Sequence, residues 1–271
     1  MPRTVVVTGA SSGIGEACAL RLAAAGWRVC GGVRSPEAGE SLRKRGITPL
    51  DLDVTNPEQI AAAAEAVGST LDGLVDNAGI AIAAPLELVP VDELRHQLEV
   101  NVVGQVAVTQ AFLPALRRAR GRIVLMGSIG GRSALPFLGP YAASKHALEA
   151  IADSLRVELR PWGITVSIVE PASIKSGIWV KGAVRADEMR AHLPDESQLL
   201  YVTAIDKFKQ VALSRGPGGD PDDVAKAVEH ALTARRPKAR YLVGRDAHIR
   251  AWIERLPTRA RDRLLAKALT D

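Results

Sequence analysis

Sulfur and aromatic rings are scarce in this chain. Two cysteines, Cys18 and Cys30, stand among 271 residues. Without a disulfide framework or a CxxC pair, a reducing compartment is expected. Five histidines show no metal-ligand spacing such as HExxH, so no metal is expected. Long hydrophobic runs are missing too. The longest uncharged stretch, 100–116, holds Asn101, Gln105, Thr109, Gln110 and Pro114, which suits a buried helix and not a membrane span. No signal peptide fits, because the first strand begins near Thr4. A cytoplasmic protein is the expectation.

An excess of one charge is also absent from most of the molecule. The net charge is +5, yet residues 235–271 hold 11 Lys/Arg against 4 Asp/Glu, and the rest hold 24 against 26. The basic balance belongs to the tail. Its two aromatics, Tyr241 and Trp252, do not form the interleaved pattern that single-stranded nucleic acid requires, so nucleic acid is not expected as a partner. The length suits one α/β domain, and 47% hydrophobic with 24% charged residues is ordinary for a globular protein.

What the chain does have is alternation. Thr4–Thr8 is an apolar, β-branched run ended by Gly9, a buried parallel strand by type. Ile14, Cys18, Leu22 and Ala25 then repeat at helical spacing up to Gly26. Between them lies Gly9-Ala-Ser11-Ser12-Gly13-Ile14-Gly15. A strand, a glycine turn and a helix start make a phosphate cradle: glycines let backbone approach a pyrophosphate, and the helix N-terminus supplies amide donors. Strand two, Arg28–Val33, is followed at once by Arg34. There an arginine either pairs with a cofactor 2′-phosphate or stands as a solvated loop residue. No Asp or Glu competes at the strand end, so NADP(H) is favoured over NAD(H).

Further units follow. They are a helix near Pro36–Arg45, a strand near Ile47–Leu52 before Asp53-Val54, and a helix from Pro57. A strand at Leu71–Val75 is closed by Asp76-Asn77-Ala78-Gly79. A long helix spans Val91–Ala119, and a strand at Ile123–Met126 leads to Gly127-Ser128. Tyr141 and Lys145 lie one helical turn apart, on a helix marked by Leu148, Ile151, Ala152, Leu155 and Leu159. A strand at Ile164–Val169 runs into Glu170-Pro171. The whole predicts an α/β, Rossmann-like, doubly wound parallel sheet in one domain, 1–271, with its ligand site at the carboxyl ends of the strands. From 176 to 219 the alternation breaks into a helical insertion over the site. Asp220-Pro221 caps another helix, Arg240–Val243 is a last strand, and 246–271 is an amphipathic tail broken at Pro257. That tail either packs on the domain or on another subunit, or lies on a membrane surface.

These motifs, in this order, resemble the short-chain dehydrogenase/reductase family over roughly 4–175. Thr8–Gly15 is similar to its cofactor loop. Asp76-Asn-Ala-Gly79 resembles its Asn-Asn-Ala-Gly turn, with Asp76 in place of the first Asn. Asn101, Ser128 and Tyr141-x-x-x-Lys145 complete the pattern, and Ala111–Leu116 and Tyr141–Leu155 look like the retinol and steroid dehydrogenase branch. The resemblance implies hydride transfer between a nicotinamide cofactor and a carbonyl or secondary alcohol. Tyr141 is then the general acid or base and Ser128 polarises the substrate oxygen. Lys145 holds the nicotinamide ribose, Asn101 holds a water, Asp53 and Val54 contact adenine, and Asn77, Ala78, Gly79, Pro171 and Ser176 line the cofactor. Glu170-Pro171-Ala172 departs from the family's Pro-Gly. A free tyrosine has a pKa of about 10. An ammonium at ~4 Å favours its phenolate by about 4 kcal/mol at an effective dielectric of ~20.

Leu135, Phe137, Leu138, Ile178 and Trp179 are expected to form an apolar substrate wall, so the substrate is expected to be lipophilic. A homodimer or homotetramer would assemble through the two long helices. The other reading is an NADP(H)-binding sensor or scaffold without turnover; the complete Asn101, Ser128, Tyr141 and Lys145 set speaks against it.

Overall fold

The computed structural model describes residues 2–175, 177, 178, 182, 184, 185, 187, 188, 200–203, 205 and 218–270. Seven strands form one sheet: β1 (Thr4–Val7), β2 (Arg28–Val33), β3 (Thr48–Asp51), β4 (Gly73–Asp76), β5 (Arg122–Met126), β6 (Thr165–Pro171) and β7 (Arg240–Val243). Their order is 3-2-1-4-5-6-7, and every pairing is parallel. The winding direction reverses between β1 and β4. The two loops leaving that point diverge and open a crevice at the strands' carboxyl ends.

Each inner strand is buried on both faces, which is why its sequence is apolar without alternation. Val5, Val7, Val75, Val124 and Val169 point into one core with Cys18, Leu22 and Val228. Val6, Leu74, Ile123 and Ile168 point into the other with Phe112, Leu116 and Leu148. The first layer contains α1 (Gly13–Ala24), α2 (Pro36–Arg43) and α7 (Pro221–Thr233). The second contains α3 (Pro57–Val67), α5 (Gly104–Ala119) and α6 (Gly139–Glu158). Full burial of each valine or leucine contributes about 1.5–3 kcal/mol, so the two layers anchor the sheet from both sides.

Local chemistry sets the helix ends. Gly26, at φ 81°, closes α1 with two bonds, Gly26 N to Ala23 O (3.0 Å) and Trp27 N to Leu22 O (3.1 Å), a Schellman end that only a left-handed residue permits. Asp220 caps α7 by accepting from Asp222 N at 2.9 Å, with Pro221 in the first turn.

The long helix expected over Val91–Ala119 is not uniform. It runs as α4 (Val91–Leu98), a π turn at Glu99–Val103, then α5. The widened turn carries Asn101, which is fully buried. The tail forms α8 (Arg245–Ile253) and α9 (Thr258–Thr270), broken before Pro257 as predicted. Its apolar face is only partly covered: Ala247 is buried and Ile253, Leu256 and Leu265 are half-buried, but Trp252 is 66% exposed, Leu264 52% and Ile249 48%. Among the described residues no helix is long and apolar enough to cross a membrane.

Candidate active site

The glycine loop leaves β1 at the reversal point. Its backbone needs glycine three times. Gly9 and Gly13 sit at φ +64° and +60°, and a Cβ on Gly15 would fall 2.2 Å from Gly9 O and 2.5 Å from Asn77 Nδ2. The N-terminus of α1 points out of this loop. Its N-cap, Ser12, makes no side-chain capping bond, so the first amide donors remain available to an anion.

The neighbouring turn is built onto the loop. Thr8 Oγ1 accepts from Asn77 N and Ala78 N, both at 2.9 Å. Asn77 Nδ2 donates back to Thr8 O (2.9 Å) and Gly9 O (3.3 Å). A ladder of side chains from α4, the π turn and α5 then holds the backbone that follows. Gln97 Oε1 accepts from Ile82 N and its Nε2 donates to Ile80 O, each at 2.8 Å. Asn101 Oδ1 accepts from Ile80 N at 2.8 Å, and its Nδ2 donates to Ile80 O and to Ser144 Oγ, each at 3.0 Å. Gln105 Nε2 donates to Ala78 O at 3.0 Å. Below them Thr109 Oγ1 donates to Asp76 Oδ2 at 2.8 Å. Sequence reading singled out Asn101 but not Gln97, Gln105 or Thr109 as site residues. Their signal was a polar residue at every fourth position through an otherwise apolar stretch.

These elements border a cleft of ≈ 580 Å³. Gly9, Ser11, Ser12, Gly13, Ile14, Gly15, Arg34, Asp53, Val54, Asn77, Ala78, Gly79, Ser128, Tyr141, Lys145 and Pro171 all line it. Asn101 lies behind the wall with both its side-chain amide protons used. Ser176 and Trp179 lie outside the described residues. Ile178 lines the cleft, whereas Leu135, Phe137 and Leu138 do not; they are half-buried, and Phe137, at φ 66°, hands its carbonyl to Ala84 N at 2.8 Å. From the 176–219 segment, Gly182, Val184 and Arg185 also face the cleft, and Arg185 pairs with Glu93 of α4 (2.5 Å). His96, Ile80 and Ile174 are lining residues the sequence did not flag.

At the floor, Ser128 Oγ accepts from Gly130 N at 3.0 Å and donates to Pro171 O over a long 3.5 Å. It also hydrogen-bonds Tyr141, whose phenol is buried. Burial pushes the Tyr141 pKa up, and the bond from Ser128 works against that rise. Lys145 Nζ donates to Met126 O at 2.7 Å and stands 5.7 Å from the Tyr141 ring centroid. Burial brings its pKa down to about 8. Tyr141 O accepts from Ser144 Oγ at 2.7 Å, which links Asn101 to the Tyr141 backbone. Ala172 follows Pro171 without a left-handed backbone and donates to Val243 O at 2.9 Å, so alanine fits where the family resemblance implied glycine. Arg34 Nη1 stands 3.9 Å from Asp53 Oδ2 and is mostly exposed at the rim.

A glycine cradle, free helix-start amides and a cleft running from Arg34 to Tyr141 fit a dinucleotide with its phosphates at the loop. The chain matches the family model described as short chain dehydrogenase over residues 3–185. It is 37% identical over 253 residues to a 3-amino-tetrahydro-pyrrolizinone reductase from Xenorhabdus hominickii, covering 90% of this chain and 88% of that one. It is 37% identical over 278 residues to retinol dehydrogenase 5 from Mus musculus, covering 96% and 87%. A crystal structure of a short chain dehydrogenase from Burkholderia cenocepacia in complex with NADP superposes with a TM-score of 0.76 at 28% identity, over 100% of this chain and 98% of that one. The protein belongs to the short-chain dehydrogenase/reductase family, as an NAD(P)-dependent oxidoreductase of the alcohol–ketone type.

Proposed function

We propose that this protein interconverts a lipophilic ketone and its secondary alcohol with NADP(H), using Tyr141 to move the proton. The observation that carries the reading is the convergence of Ser128, Tyr141 and Lys145 at one end of the glycine-loop cleft. Ser11, Ser12 and Gly13 with the α1 amides would hold the pyrophosphate. Asp53 and Val54 would hold adenine, and Lys145 the nicotinamide ribose. When bound, the cofactor supplies or accepts the hydride.

The residues do the rest. A buried phenol with a raised pKa keeps its proton at neutral pH and suits a general acid in carbonyl reduction. Ser128 holds its present acceptor at 3.5 Å, a weak bond readily exchanged for a substrate oxygen. Both Asn101 amide protons are spent on Ile80 O and Ser144 Oγ, so any water it holds would have to donate to one of its carbonyl oxygens. Arg34 at the rim would pair with a 2′-phosphate, and the NADP complex of the Burkholderia relative supports that choice. Ile80, Ala81, Ile174 and Ile178 give an apolar wall to a substrate body. The same reading takes a homodimer or homotetramer built on α5 and α6.

The test is a ketone and alcohol panel with NADPH and NADP⁺, on the wild type and Tyr141→Phe. Turnover that rises with apolar chain length and disappears in Y141F is expected. A panel without Tyr141-dependent turnover, in a protein that still binds NADPH, would turn the reading toward a cofactor-binding sensor.

A further inference from the structure

The four-residue spacing makes Lys145 the natural charge partner of Tyr141. The structure brings in a second cation, 109 positions beyond Tyr141 in the chain. Arg250, half-buried on α8, donates through Nη2 to Ser133 O at 2.5 Å. Ser133 is the far end of the turn that begins at Ser128: Gly131 N bonds Ser128 O (2.8 Å) and Ser133 N bonds Ile129 O (2.9 Å). That turn lies directly on the phenol, since a Cβ on Gly130 would sit 3.3 Å from Tyr141 Cε1 and from Ser128 Oγ. α8 is fixed in place by Ala247, which is fully buried just after β7. Arg250 is not among the residues lining the cleft, so it reaches this turn from the protein side.

We propose that Arg250 is a positioning residue for the proton-transfer site, pinning the Ser128–Ser133 turn and placing a positive charge behind the Tyr141 phenol without touching substrate. The inference rests on the reading of Tyr141 as the proton-transfer group. After burial and the Ser128 bond, the Arg250 charge is the next influence on the phenol, and it favours the phenolate. Among the other titratable side chains around the site, His96 and Glu188 line the cleft, and several cations are engaged with carboxylates or backbone. Arg132 and Arg240 face Glu170 (3.5 and 3.6 Å), Arg240 also binds Glu149 (3.0 Å) and Asp153 (2.8 Å), and Arg185 binds Glu93. Lys145 donates to Met126 O. Helix α8 is thereby tied to the proton-transfer site through one side chain.

The test uses full-length Arg250→Met, Arg250→Gln and Arg250→Lys beside Tyr141→Phe. Loss of the charge should weaken Tyr141 as an acid about tenfold, moving the rising limb of alcohol oxidation upward by roughly one pH unit. The Michaelis constant for NADP⁺ should hold while kcat moves, and R250K should restore the wild-type limb. A tyrosinate absorbance titration of the NADP⁺-bound protein without substrate, with the Y141F trace subtracted, should show the same upward shift. R250Q carries the test if R250M does not fold. Wild-type profiles and titrations in the neutral variants, with Y141F inactive, overturn the inference and leave the proposed function standing. Failure of R250K to restore the limb overturns the charge role. Turnover in Y141F overturns the proposed function itself.

Discussion

Replacing Asp76 with asparagine should make this protein's stability, measured against wild type, rise with pH. Asp76 ends β4 and is fully buried; one carboxyl oxygen takes the Thr109 hydroxyl and the other, Oδ1, has no hydrogen-bond partner among the described residues. Burial raises its pKa from 3.8 to about 7, against the smaller pull of the Thr109 bond. Between those two values the native state holds a proton that the unfolded chain has lost. Stability contributed by the neutral form is present below 3.8 and drains away as pH rises through 7. Above both values the deficit is about 4 kcal/mol, at 1.36 kcal/mol per pKa unit. Asparagine keeps an acceptor for Thr109 and does not titrate. Its fixed cost from new buried amide protons is the same at every pH and cancels in the comparison. The stability of D76N relative to wild type should therefore rise by about 3 kcal/mol between pH 5 and pH 8, or roughly 6–12 °C in Tm. Urea unfolding of both proteins at the two pH values reads this directly. A difference that stays level with pH would refute the assignment of Asp76 as a buried carboxyl that ionises near neutrality.

Three other outcomes follow from geometry. Gly15→Ala places a methyl 2.2 Å from Gly9 O, so NADPH fluorescence titration should show affinity reduced by at least about tenfold, with the glycine turn displaced. Arg34→Asp should lower the ratio of kcat/KM for NADP to that for NAD by roughly a hundredfold, since a charge-assisted pair is worth about 1.5–3 kcal/mol; an unchanged ratio removes Arg34 as selector. Neither thiol should react with a disulfide reagent at pH 8 in the native protein, because burial pushes Cys18 up to about 12 and raises Cys30, and both should react once the chain is unfolded.

The sheet and its crevice were legible because they depend on local signals. β-branched runs, glycine turns and Asp220-Pro221 act within a few residues, and the repeated β-α order leaves one sensible winding. What the sequence hid depends on distant partners. The π turn at Glu99–Val103 follows from seating Asn101 against Ile80 and Ser144, 21 and 43 positions away. The charge environment of Tyr141 includes a residue from α8. Leu135 and Phe137 were expected at the substrate because they sit between Ser128 and Tyr141 in sequence; a positive-φ bend at Phe137 ties that loop to Ala84 instead. The tail's apolar pattern is real, but nothing in its periodicity tells which surface, if any, covers Trp252.

On residues 78, 80 and 82 the ladder of Gln97, Asn101 and Gln105 grips main-chain atoms alone. Its rungs are therefore indifferent to what those positions carry. Ile80 and Ala81 face the cleft from a strip of chain whose shape is dictated from outside. They can be exchanged for larger, smaller or more polar residues while the path of the backbone stays put. Under the proposed reading that strip is a socket for retuning substrate choice, held from behind by the amide side chains of α4, the π turn and α5.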